Sequence, residues 1–181
     1  MPRSRRAFAT VVAAFIAVCS VTVHPFGRPK EMPPGRDSQG DLKLPPGVGV
    51  IVERSCVDCH SSRTAWPWYS YVAPMSWLVE RDVRRGRDRM NLSEWQHYTL
   101  RQRQKLLADV ASAVKNGEMP LPQYTLIHRQ ARLSEMDRDL LYEWARQERR
   151  RLRAESQSLA PGDPATRDRF QRVGGAREAL Q

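Results

Sequence analysis

The pentapeptide Cys56-Val57-Asp58-Cys59-His60 constrains this chain more than any other feature. Two cysteines separated by two residues and followed at once by histidine form the C-x-x-C-H signature of c-type haem attachment. The thiols add to the two vinyl groups of one rigid ring, and the adjacent imidazole supplies the proximal nitrogen to iron. A chain tethered in this way folds around a flat apolar body. The motif occurs once, so the expected cofactor is a single, covalently bound haem c.

Two other chemistries share the spacing. A thioredoxin-like pair sits in a βαβ context, and no such pattern surrounds the motif. Zinc usually takes four ligands. Cys56, Cys59 and His60 would need a fourth from His97, His128 or a carboxylate, because the remaining cysteine, Cys19, lies in the N-terminal apolar run.

That run reads as an export signal or anchor. Arg3, Arg5 and Arg6 precede an uncharged, mostly apolar stretch over residues 7–23. Its length lies at the short end of the range for a membrane-spanning helix, about 17–25 residues. The exit Thr22-Val23-His24-Pro25-Phe26 shows no clear small-residue cleavage site. The expectation is an uncleaved anchor over residues 1–23, with a cleaved signal peptide as the alternative. Basic residues before the run place the N-terminus in the cytoplasm and the rest outside, on the periplasmic side of a bacterial inner membrane.

The net charge of +10 invites a nucleic-acid reading, but its distribution opposes one. Residues 1–44 carry seven basic and three acidic groups, residues 45–145 fourteen and twelve, and residues 146–181 nine and five. The excess sits at the ends, whereas a nucleic-acid binder concentrates it on a folded face. The expected partners are redox proteins, haem-attachment machinery and a membrane, with no nucleic acid.

Residues 24–46 are rich in proline and read as an extended linker. A folded domain over residues 47–150 follows, and then a basic tail over residues 151–181 without periodicity, expected to be disordered. The domain pattern is helical. A short helix leads into Cys56 and ends at His60. Residues 61–74 are aromatic and proline-rich and read as loop. A helix over 76–90 should turn Trp77, Leu78, Val79 and Val83 inward. Another over 100–115 carries Leu100, Leu107, Val110 and Val114 on one face, and Gly117 stops it. Ser134-x-x-Asp137 caps the last helix. There Met136, Leu140, Leu141 and Trp144 form the apolar stripe, and fraying is expected near residue 155. No strand is legible. The fold class is all-α: a small c-type cytochrome-like domain wrapped around one haem, preceded by an N-terminal hydrophobic helix.

The sixth iron position decides between a carrier and an enzyme. Met136 sits on the apolar stripe and reads as core, and Met90 ends a charged segment. Met119, in Gly117-Glu118-Met119-Pro120 after a helix stop, is the leading distal ligand. His128 and Met75 stay open as alternatives.

Several ordered segments carry a resemblance. Cys56 to Ser62, Thr64-x-Trp66-Pro67-Trp68-Tyr69-Ser70-Tyr71, Pro74-x-Ser76-Trp77-Leu78, Asp82-Val83-x-x-Gly86-Arg87, Asn91-x-Ser93-x-Trp95, Gly117-Glu118-Met119-Pro120 and Tyr124-Thr125-Leu126-Ile127-His128 fall in one order. Over residues 48–145 the chain resembles the haem-binding domain family of bacterial monohaem cytochromes, whose members typically carry one N-terminal membrane segment. The resemblance implies a small c-type cytochrome fold with haem bound by Cys56, Cys59 and His60. It also supports Met119 as distal ligand, although Pro120-Leu121-Pro122-Gln123 departs from the more aromatic run of the family.

Trp66, Trp68, Tyr69 and Trp77 are expected to wall the ring, and Pro67 or Pro74 to offer a carbonyl to the His60 ring N–H. Residues 84–89 read as a solvated basic face. The function expected is single-electron transfer without catalysis. An open sixth position would instead suit a peroxidase or a gas or redox sensor.

Overall fold

The computed structural model describes residues 3–22, 26–31, 42 and 44–159. Among these residues the chain is all-α, without a strand. The helices are α1 (Arg3–Thr22), α2 (Pro46–Ser55), α3 (Val57–His60), α4 (Met75–Arg89), α5 (Leu100–Lys115), α6 (Pro122–Ile127) and α7 (Glu135–Ser158). Short 3-10 turns lie at Trp68–Tyr71, Leu92–His97 and Arg129–Ala131. Two compact units divide the chain: Met1–Lys43 with Val52–Trp95, and Leu44–Ile51 with Gln96–Gln181.

In the second unit α5 packs on α7. Both helices begin with a reciprocal cap, which satisfies backbone N–H groups that a helix start otherwise leaves unpaired. Thr99 Oγ1 accepts from Gln102 N while Gln102 Oε1 accepts from Thr99 N. Ser134 and Asp137 do the same, as the sequence predicts. The contact itself uses Leu107, Ala111 and Val114 on α5, and Leu141, Ala145 and Leu152 on α7, all buried. Alanines at the crossing let the helix axes approach closely. Each fully buried leucine contributes about 1.5–3 kcal/mol relative to an exposed one. At the far end Gln104 Nε2 donates to Leu152 O at 3.1 Å and to Ser156 Oγ at 3.2 Å. Gly117 ends α5 at φ +68°, the left-handed region that favours glycine. There Glu118 N and Met119 N both donate to Ala113 O.

Three expectations change in this unit. Met136 is 81% exposed and Leu140 is also exposed, so the stripe of α7 runs through 141, 145 and 152 rather than 136, 140, 141 and 144. On α5, Val110 is half-buried and Ala111 takes the inward place. Residues 151–158, expected in the disordered tail, are helical, and Leu152 is buried. The expectation for residues 160–181 lies outside the described residues.

In the first unit α3 and the 3-10 turn at Trp68–Tyr71 both pack on α4. The buried face of α4 is Ser76, Glu80, Val83 and Gly86. Of the four residues expected inward only Val83 is buried, while Leu78 and Val79 are half-buried and Trp77 is exposed. Residues 26–31 are not a bare linker either: they lie against this unit and bond to it. Most of the remaining Pro-rich stretch lies outside the described residues. Helix α1 exposes Phe8, Val11, Phe15 and Ile16. No helix among the described residues is long and apolar enough to cross a membrane.

Candidate cofactor site

The pentapeptide forms one turn of helix. Cys56 stands at the start of α3, and Cys59 and His60 end it. The turn is closed by Cys59 N and His60 N, which both donate to Cys56 O at 3.2 and 2.9 Å. Ser61 Oγ donates back to Val57 O at 2.8 Å, and Thr64 Oγ1 donates to Asp58 O at 2.6 Å. The motif is thus tied from within and from the residues just after it.

Gly86 on α4 explains how closely the two helices meet. A Cβ at this position would stand 3.0 Å from the Cys59 carbonyl carbon and 3.1 Å from Cys59 Cβ, and closer still to the carbonyl oxygen. Those atoms are backbone and cannot swing away. Glycine here is a packing requirement, although in the sequence it reads only as a weak point of the helix.

His60 is held by the residue that follows α4. Its Nδ1 lies 3.1 Å from Met90 O. A carbonyl only accepts, so Nδ1 carries the hydrogen and the neutral ring keeps its lone pair on Nε2. This corrects the expectation that Pro67 or Pro74 supplies the carbonyl. Burial pushes the imidazole pKa below its ordinary value, against the upward pull of the Met90 and Gly86 carbonyls. The ring is therefore neutral near pH 7, the form that binds a metal.

Cys56 and Cys59 are unbridged thiols. Burial pushes both up to about 12; Arg54 opposes this at Cys56, while the charges of Asp58 and Asp82 add to it at Cys59. Both are protonated at neutral pH in the folded chain. No group of three or more His, Cys, Asp or Glu side chains among the described residues is arranged to hold a metal ion. A Cys pair on one helical turn, beside an imidazole with a free Nε2 lone pair, does fit a haem.

The expected aromatic walls are placed unevenly. Trp68 is 80% exposed and meets Tyr69 edge-on, with ring centroids 5.9 Å apart. Trp77 is 37% exposed near the start of α4, and Tyr71 and Val72 are exposed close by in sequence. Trp66 is half-buried and its Nε1 already donates to Glu31 Oε1 at 3.0 Å. Met75 opens α4 in the same unit. Met119 and His128 belong to the second unit. Met119 is half-buried on the turn after Gly117, and the His128 ring stacks on Tyr124 with centroids 4.4 Å apart. His97 is exposed.

Sequence reasoning missed a polar shell. Asn91 Nδ2 donates to Ser62 Oγ, and Ser62 N donates to Ser93 Oγ. Arg87, expected on a solvated face, is 8% exposed in its side chain and pairs with Glu31 at 2.7 Å. Polar side chains inside a small unit leave no mark in a hydrophobic pattern. The signals available were Gly86 inside a helix and the Asn91-x-Ser93 spacing.

An all-α chain with these groups on one helical turn defines a helical haem-binding protein. The haem-binding domain family matches residues 15–147, and the chain belongs to that family. No curated protein and no solved structure matches it.

Proposed function

We propose that this chain is a monohaem c-type cytochrome that carries single electrons on the periplasmic side of a bacterial inner membrane. The observation that carries the reading is the His60 ring, held by the Met90 carbonyl, beside two cysteines on one helical turn. When bound, the haem supplies a one-electron ferric–ferrous couple.

The protein residues do the rest. Cys56 and Cys59 would hold the ring through two thioether bonds, the S–H of each adding across one vinyl group. His60 offers Nε2 as proximal ligand, and the Met90 carbonyl fixes its tautomer. Met119 is the proposed distal ligand. A thioether sulfur favours ferrous iron and raises the potential. Gly117 at positive φ and the bond from Met119 N to Ala113 O hold its backbone in a defined turn. The exposed rings of Trp68 and Trp77 are proposed to cover the cofactor, because large apolar surface gains most from burial.

The apolar side chains exposed along α1 support lipid contact by the N-terminal segment. The haem-attachment machinery of the exporting cell and redox proteins are the proposed partners.

Absorption spectra of protein made in a host with that machinery test the proposal. Ferric protein should show the far-red sulfur-to-iron band, and Met119→Ala should lose it. A high-spin spectrum that shifts with carbon monoxide or peroxide would replace the carrier with an open-site enzyme or sensor.

A further inference from the structure

Residues 26–31, upstream of the motif, reach it through a continuous set of polar contacts. The Glu31 carboxylate accepts from Trp66 Nε1 at 3.0 Å, Thr64 N at 3.1 Å and Arg87 Nη2 at 2.7 Å. Arg87 Nη2 also donates to Thr64 Oγ1 at 2.8 Å. That hydroxyl in turn donates to the carbonyl of Asp58, inside the pentapeptide. Arg87 follows Gly86, the residue that lies against Cys59.

A second anchor stands two turns away on α4. The Arg28 guanidinium lies over the rings of Tyr71 and Trp66, at 3.9 and 4.9 Å. It donates to Ser70 O at 2.9 Å and pairs at 3.8 Å with Glu80, which is fully buried. Arg84 donates to Phe26 O, and Arg87 Nη1 to Lys30 O. The family match also begins upstream of this segment.

We propose that Glu31, supported by Arg28, is a positioning residue of the haem-attachment turn, acting through Arg87 and Thr64. The proposal rests on the cytochrome reading. Its electrostatic content separates it from simple bracing. Glu31 is the carboxylate paired with Arg87, a cation almost wholly removed from water beside the Cys59 side of the turn. Neutralising Glu31 exposes the iron to that positive charge, which favours the ferrous form. A solvent-exposed ion pair is screened and does far less.

The test uses the full chain, produced with haem attached, as parent, Glu31→Gln, Glu31→Asp and Glu53→Gln. Glu53 pairs with Arg63 on the surface and serves as the charge control. The readouts are covalent haem per chain and the ferrous-to-ferric ratio at the parent midpoint. Glu31→Gln should raise that ratio at least about threefold, the order expected for one unit charge in a partly buried setting. Glu31→Asp should restore it toward the parent value, and Glu53→Gln should leave it unchanged. Loss of haem in Glu31→Gln with recovery in Glu31→Asp also supports the proposal. Parent-like haem content and ratio in Glu31→Gln overturn it while the cytochrome reading stands. A parent without covalent haem overturns the cytochrome reading itself.

Discussion

Helices α5 and α7 meet through Leu107, Ala111, Val114, Leu141, Ala145 and Leu152, whereas the motif-bearing unit buries Ser61, Ser70, Ser76 and Glu80 among Val52, Val57, Val83, Leu92 and Trp95. The first contact is apolar and non-directional. The second adds directional hydrogen bonds, from Ser61 Oγ to Val57 O and from Ser70 Oγ to Pro67 O, each worth only about 0.5–1.5 kcal/mol net but costly when one partner is lost. A core that mixes apolar side chains with buried polar groups is more constrained in geometry than one closed by apolar contacts alone.

The largest expected effect concerns alkaline pH. Burial pushes the Cys56 and Cys59 thiols from an ordinary 9.0 to about 12. Between these values the unfolded chain has released the protons and the folded chain retains them. Stability is therefore fully present below pH 9 and falls as pH rises toward 12. The loss falls on the motif-bearing unit of the haem-free chain and grows as pH rises from 9 toward 12. Denaturation of the parent and of the C56S/C59S variant at pH 8 and pH 11 checks this; equal losses in both would break the contrast.

Leu141→Ala comes next, with an expected cost of about 2–5 kcal/mol from lost burial and the cavity left behind. Hydrogen exchange should locate that cost in α5 and α7 and leave α3 and α4 unchanged. Coupled loss in α3 and α4 would mean that the units do not behave separately. Gly86→Ala should cost about 1–3 kcal/mol, outweighing the gain in helix propensity of roughly 1 kcal/mol, and should lower haem attachment measured by haemochrome absorbance. Ser134→Ala, which removes the cap of α7, should cost about 1 kcal/mol by urea denaturation, with no change in haem content.

The apolar unit was the more legible of the two. Ser134, Asp137, Leu107, Val114 and Leu141 sit where capping and helical spacing put them. Where spacing erred, as at Met136 and Leu140, the stripe had been extended to large apolar residues that solvent in fact covers. Ala145 was overlooked because a small side chain carries little weight in such a pattern. Haem binding was legible in the pentapeptide, whose spacing is rare, and the family match agrees on haem. The pentapeptide's surroundings were not. Glu80 and Ser76 are buried polar groups, which periodicity assigns to solvent. The hydrogen bond from His60 ends on a backbone carbonyl, which has no sequence signature. Arg28 and Glu31 lie in a stretch whose prolines read as spacer, and their partners are far along the chain.

That distance has a kinetic side. The contact between Glu31 and Arg87 closes a loop of 56 residues, with an entropic cost that grows slowly with length. Cys56 and Cys59 lie inside the loop. In a chain that emerges from its N-terminus, the loop stays open until residue 87 has followed, so both thiols emerge before that contact can form. The clasp is thus a late event in chain emergence, closing only after the whole pentapeptide has appeared.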